Sequence, residues 1–153
     1  MSIQQTATTS FKVQLLQAVH NFGPTSPDTF KIALFTAAGN INATTTAYTS
    51  GMTGEVSDSG TGYTTGGNTL VISVSPTSGN NTGGVPTAYV SFQNSSWDNA
   101  TFSCNGALIY NDTVSGNPSV AVLDFGATKT VNNDTFTVIF PTPDANSAIV
   151  RIS

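Results

Sequence analysis

From residue 29 onward the chain is dominated by short apolar runs of period two, separated by Gly, Pro and Asn, with no helical segment between them. In residues 29–36, Phe30, Ile32 and Leu34 fall on one face of an extended backbone, the alternation of a strand with one buried side. Residues 69–75 alternate in the same way and are closed by Pro76. Further runs lie at residues 87–92, 101–104, 107–110, 120–125, 135–140 and 148–152. Between the first two runs, a Gly- and Thr-rich region offers only brief candidate strands, near residues 46–49 and 55–57. Residues 78–84 are almost pure turn chemistry and are expected to form an exposed loop. Strands that follow one another through turns can bury their apolar faces only by stacking sheet on sheet. The expected fold class is therefore mainly β: a single antiparallel β-sandwich or jelly roll.

One segment has a different period. Phe11, Leu15, Val19 and Phe22 recur at three- and four-residue spacing, which predicts one short N-terminal helix over about residues 11–22. Ser10 can cap its start, Gly23 fits the position just past its end, and Pro24 prevents continuation. A helix this short gains its stability by docking on another element. Residues 1–10 are polar and aperiodic and read as an N-terminal arm; residues 11–153 read as one domain, a size that can bury a substantial core.

Only 8% of the residues are charged, against about 25% in an ordinary soluble domain. Thr, Ser, Asn and Gly take their place, giving a polar but nearly uncharged exterior. Nine Phe, four Tyr and one Trp argue for a folded core rather than disorder. The four bases, Lys12, Lys31, Lys129 and Arg151, are scattered singly, so no basic patch is present to neutralise phosphates, and nucleic acid is not an expected partner. No run approaches the ~20 apolar residues that span a bilayer. The amino terminus shows no basic segment leading into an apolar one, so no signal peptide is expected.

No catalytic constellation is legible. The single histidine, His20, falls near the end of the predicted helix, where a structural role suffices. The single cysteine, Cys104, lies in an apolar run and reads as a small buried hydrophobe. One His and one Cys far apart cannot make a zinc site, so no metal or other cofactor is expected. Glu55 and Asp58 are three residues apart, and the other acids lie in turns or at strand ends, where Asp usually bonds its own backbone. The chain is accordingly expected not to be an enzyme. No twelve-residue loop has calcium-binding spacing, which leaves open a calcium site assembled by folding. The Gly-rich stretch at residues 60–67 lacks the Lys-Ser/Thr of a phosphate loop and reads as a loop. Asn-x-Ser/Thr triplets, as at Asn42 and Asn94, are expected by chance in so Asn- and Thr-rich a chain. Trp97 and Tyr63 are the candidate partner contacts: each could anchor a sugar ring or a protein partner, though core packing is the better reading for Trp97.

The ordered series Thr29-Phe30-Lys31-Ile32-Ala33-Leu34, Thr45-Thr46-Ala47-Tyr48, Gly54-Glu55-Val56, Gly60-Thr61-Gly62-Tyr63-Thr64-Thr65-Gly66-Gly67, Trp97, Gly106-Ala107-Leu108-Ile109-Tyr110-Asn111 and Val122-Leu123-Asp124-Phe125-Gly126 resembles a family of small proteins encoded among the virion structural genes of tailed bacteriophages. The resemblance runs from about Phe11 to Ile152, and departs at Phe35, where the pattern favours Tyr. It implies a particle component assembled in the bacterial cytoplasm and located in the virion, and it carries no catalytic residues. A capsid decoration or cement protein is the first expectation. It would be a homo-oligomer, with a trimer favoured, and would contact other virion proteins, the major capsid protein foremost. A tail or fibre subunit that binds a host carbohydrate or receptor is the alternative.

Overall fold

The computed structural model describes residues 2–153. The fold is mainly β, with two antiparallel sheets and one short helix near the N-terminus, as the period of the apolar runs requires. The elements are β1 (Thr6–Ala7), α1 (Thr9–Leu16), β2 (Phe30–Phe35), β3 (Asn68–Leu70), β4 (Ile72–Asn80), β5 (Pro86–Phe92), β6 (Ser95–Asn111), β7 (Ser119–Val138) and β8 (Val150–Ile152). One sheet has the order β1-β7-β6-β2-β3 and the other β4-β5-β8. The chain passes from one sheet to the other twice at one end, through Val71 and through Gln93–Asn94. Gln93 N donates to the Val71 carbonyl at 2.8 Å and ties the two crossings together.

Phe30, Ile32 and Leu34 of β2, with Ala107 and Ile109 of β6, face the core between the sheets, where Val90, Phe92, Phe140 and Val150 meet them. The opposite face of the same strands is buried too. Ala33 and Phe35 of β2, Leu108 and Tyr110 of β6 and Val122 of β7 pack against Ile41 and Tyr48, with Ile3 and Met52 at the margin. The long connection between β2 and β3, together with the N-terminal segment, covers this second face. The alternation of buried and exposed residues is therefore lost from Ile32 to Phe35 and from Gly106 to Asn111, all of which are buried.

Several boundaries differ from those read in the sequence. The helix spans Thr9–Leu16 rather than about residues 11–22, and Thr8, not Ser10, caps it: the Thr8 hydroxyl accepts from Phe11 N. Ala18 then takes a left-handed conformation (φ 57°). Its N–H donates to the Leu15 carbonyl and that of Val19 to the Gln14 carbonyl, the paired bonds of a Schellman stop. An alanine does here what glycine usually does. Phe22 keeps its apolar role without being helical, stacking on Phe30 at 4.3 Å, while Val19 is only partly buried.

Two predicted strand pairs merge into single long strands. Residues 101–104 and 107–110 belong to β6, and residues 120–125 and most of 135–140 to β7. Gly106, read as a break, stays in the ladder between Phe35 and Asp124. Leu123 O and the Ile3 side chain lie so close that only a glycine fits there. Opposite Asn105, β7 bulges outward through Phe125, Gly126, Ala127 and Thr128. Beyond this bulge β6 and β7 continue as a two-stranded ribbon whose outer side carries cross-strand hydroxyl pairs, Ser96 with Thr137 and Ser103 with Thr130, each at 2.8 Å.

The expected loop at residues 78–84 contracts to residues 81–85, because β4 runs on to Asn80. Asn81 organises it by accepting from Gly83 N and Val85 N. Pro76 lies inside β4 at a register shift; β4 is an edge strand, where proline removes no ladder bond. The candidate strands near residues 46–49 and 55–57 reduce to the single bridges Ala47 to Pro118 and Phe35 to Glu55. The N-terminal segment is bound to its own chain: Thr6 and Ala7 pair with Val122 and Ala121, and Gln4 N donates to the Ile41 carbonyl.

Candidate functional site

Tyr63 and Trp97 are each only 3% exposed, so neither offers a ring to a partner. Trp97 sits on the inward side of β6 opposite Phe136, and its ring lies 6.4 Å from that of Tyr63. Its indole Nε1 is buried without a hydrogen-bond partner. The Tyr63 hydroxyl is held on both sides: it accepts from Leu34 N at 3.1 Å and donates to Glu55 Oε1 at 2.9 Å. An exposed aromatic platform at these residues is thus overturned. Core packing at Trp97 and a buried polar anchor at Tyr63 replace it.

The anchor leads to a feature that sequence reasoning missed. Glu55 is the hub of a cage. Its carboxylate accepts from the Tyr48 hydroxyl at 3.0 Å, from Tyr63 and from Gly66 N at 2.7 Å. The Tyr110 hydroxyl donates to the Gly66 carbonyl at 2.8 Å, and the Tyr48 and Tyr110 rings stack at 4.3 Å. Burial, and after it the hydrogen-bonded and nearby Glu55 charge, pushes the Tyr48 and Tyr63 hydroxyls above the ordinary tyrosine value. Burial does the same to Tyr110. The three phenols are therefore fixed as neutral donors. The loop over residues 60–67 wraps the carboxylate, and at Gly67 (φ 74°) the backbone lies against the Ile32 carbonyl so closely that no side chain fits. The motifs around Tyr48, Glu55, Tyr63, Gly66 and Tyr110, spread along the sequence, converge on this one point. Their spacing gave no sign of it, because each hydrogen bond joins a different segment.

The remaining candidate groups are occupied locally. Asp58 accepts from the Thr65 hydroxyl, so Glu55 and Asp58 turn to different partners rather than facing each other. Asp98 accepts from Thr135, Asp124 from Gly126 N, and Asp144 from Asn146 N and Ser147 N. Asp112 pairs with Lys31 at 3.2 Å. Cys104 is buried, as its apolar context suggested, and burial pushes its thiol up to about 12, which keeps it protonated and inert at neutral pH. Among the described residues, no three or more His, Cys, Asp or Glu side chains gather as a metal site. Among the described residues, no helix is long and apolar enough to cross a membrane.

His20 lies beyond the helix, not in its last turn, and is buried against Phe11, Phe22 and Phe30. Its Nε2 is 3.0 Å from Gln14 Oε1 and its Nδ1 is 3.2 Å from Asn111 Nδ2. Asn111 Nδ2 also donates to Asp28 Oδ2 at 2.7 Å.

One surface groove is almost wholly apolar. It measures about 130 Å³ and runs between α1 and the three-stranded sheet, walled by Leu15, Phe22, Pro76, Val90, Val150 and Ile152. Ligand pockets usually reach about 300–1,000 Å³, so this groove is sized for apolar side chains rather than for a cofactor. Leu16, 91% exposed, and the half-exposed Val13 belong to the adjoining helix. Comparison with protein-family models, curated proteins and solved structures finds no match to this chain.

Proposed function

We propose that this chain is a structural protein of a tailed-bacteriophage virion, and specifically a decoration or cement protein that binds the assembled head. The observation that carries this reading is the apolar groove beside α1, walled in part by the exposed Ile152, with Leu16 and Val13 exposed on the same helix. An apolar surface of this kind is the composition of an interface core. The surrounding Thr-, Ser- and Asn-rich surface, with its paired hydroxyls, needs no counter-charge from its partner. The motif residues behind the resemblance support the same reading, since Glu55, Tyr63, Gly66 and Tyr110 serve to hold a rigid fold. Rigidity suits a clamp between capsid subunits.

The test is co-sedimentation of the purified protein with heads that lack it, alongside its oligomeric state by light scattering. Saturable binding is expected, and Leu16→Asp, which puts a charge at the exposed helix end, is expected to weaken it at least tenfold while leaving the fold intact. No association of the wild-type chain with such heads would overturn the head assignment.

A further inference from the structure

We propose that the His20–Asn111–Asp28 network is an acid-sensitive latch, which holds the segment between α1 and β2 against the sandwich and releases it when His20 takes up a second proton.

The argument begins at Asn111, which is fully buried. Its Oδ1 accepts from two backbone donors, Thr113 N at 3.0 Å and Val114 N at 3.3 Å. Its Nδ2 therefore faces the other way, and its two hydrogens go to Asp28 Oδ2 and His20 Nδ1. Turning the amide over would set an oxygen against the Asp28 carboxylate and an NH₂ against two backbone N–H groups. The amide orientation is fixed by its neighbours, and it fixes the histidine in turn. Nδ1 must accept, so the ring proton sits on Nε2 and donates to Gln14 Oε1. Only this one neutral tautomer satisfies every partner.

A second proton on His20 sets Nδ1–H against the Asn111 NH₂ and places a cation among Phe11, Phe22 and Phe30. Burial accordingly lowers the His20 pKa from its ordinary value of 6.5, and Asp28 opposes that shift only in part. Asp28 is the charged group facing the ring's partners from the connecting segment. Of the charges carried by the elements packed around His20, Lys31 of β2 and Asp112, which follows β6, pair with each other. Lys12 of α1 is exposed.

The far end of the segment is anchored at Thr29, whose N–H donates to the Thr113 hydroxyl at 2.7 Å and whose carbonyl accepts from Asp112 N at 2.8 Å, so the part the latch holds lies between the helix and Asp28. Asn21 and Asp28 close it on itself, through Asn21 N to Asp28 Oδ2 and Asp28 N to the Asn21 carbonyl, both 2.8 Å. Phe22 stacks on Phe30, and Asn111 supplies the polar link to β6. Ala18 in its left-handed conformation adds strain at the point where the segment leaves the helix. Since the closed form keeps His20 neutral, its advantage is complete above pH ~6.5 and declines as the pH falls below that value. Opening should rise by up to about tenfold per pH unit until the folded-state pKa is reached.

The experiment is amide hydrogen exchange on the whole chain at pH 7.5 and 5.0, corrected for intrinsic exchange rates. Protection of the Ala18, Val19 and Asp28 amides is expected to fall at pH 5.0, by no more than the roughly tenfold per pH unit that one titrating group allows, while that of Ala107 to Ile109 in β6 holds. In His20→Gln, whose amide can donate to Gln14 and accept from Asn111 without titrating, the drop should vanish. Gln14→Glu, which sets a carboxylate at Nε2 and so favours the protonated ring in the closed form, should shrink the drop. Unchanged protection in the wild type, or an equal fall in His20→Gln, would overturn the latch. Should His20→Gln not fold, ring ¹⁵N shifts of the wild type at pH 7.5 decide: an Nδ1–H tautomer sinks the proposal, and an Nε2–H tautomer with a smaller drop in Gln14→Glu upholds it.

Discussion

Two buried polar clusters hang from neighbouring residues of β6. Tyr110 reaches one face of the sheet and closes the Glu55 cage; Asn111 reaches the other and holds His20. Both tie irregular chain to the β2–β6 pair, but they do so in opposite electrostatic ways. An ionised carboxylate offers only acceptors, so two phenols and a backbone N–H can converge on Glu55 with no choice of orientation. A neutral imidazole offers one donor and one acceptor, so the His20 network works in a single arrangement of protons. The first cluster is a fixed clasp around a loop that packs on the sheet. The second is conditional, and the segment it holds is the one that leaves a strained helix end.

The largest effect should come from breaking the clasp. Glu55→Ala leaves the Tyr48 and Tyr63 hydroxyls and Gly66 N without their acceptor. A loss of about 2–4 kcal/mol is expected in urea unfolding, because buried donors to a charged acceptor are costly to orphan. A loss below about 1 kcal/mol would mean that the cage is not what holds residues 60–67. A smaller effect of opposite sign is expected on the conditional side. Ala18→Gly removes the cost of a left-handed alanine and should stabilise the chain by about 0.5–1 kcal/mol in the same assay. It should also reduce opening of the segment that His20 holds; if it destabilised the chain, the strain argument would fail. The smallest change concerns Lys31 and Asp112, the surface pair beside the His20 network. Lys31→Met should shift stability by no more than about 0.5 kcal/mol and weaken its salt dependence, as partly exposed ion pairs contribute little.

The strands were legible because their period is local: Phe30, Ile32 and Leu34 alternate whatever they pack against. Helix and strand limits were not, where distant partners set them. The apolar spacing of Phe11, Leu15, Val19 and Phe22 is a sound helical pattern, yet His20 is drawn to Asn111 and Phe22 to Phe30, and the helix stops a turn and a half early. Gly106 looked like a turn because glycine usually marks one. It is a strand residue whose missing side chain makes room for Ile3 and the Leu123 carbonyl. Core packing was the better reading for Trp97 from the start, whereas Tyr63, in a Gly-rich loop, gave no sign that its ring would be buried.

By itself, then, the sequence determined the class of fold, the low charge and the apolar setting of Cys104, each of which follows from residue type and period alone. Tertiary structure decided which polar side chains matter. Glu55 gathers Tyr48, Tyr63 and Gly66, and His20 reaches Asn111 across 91 residues of chain. A hydrogen bond between distant segments leaves no periodic trace, because its partners are chosen by where the sheet brings them and not by their spacing along the chain.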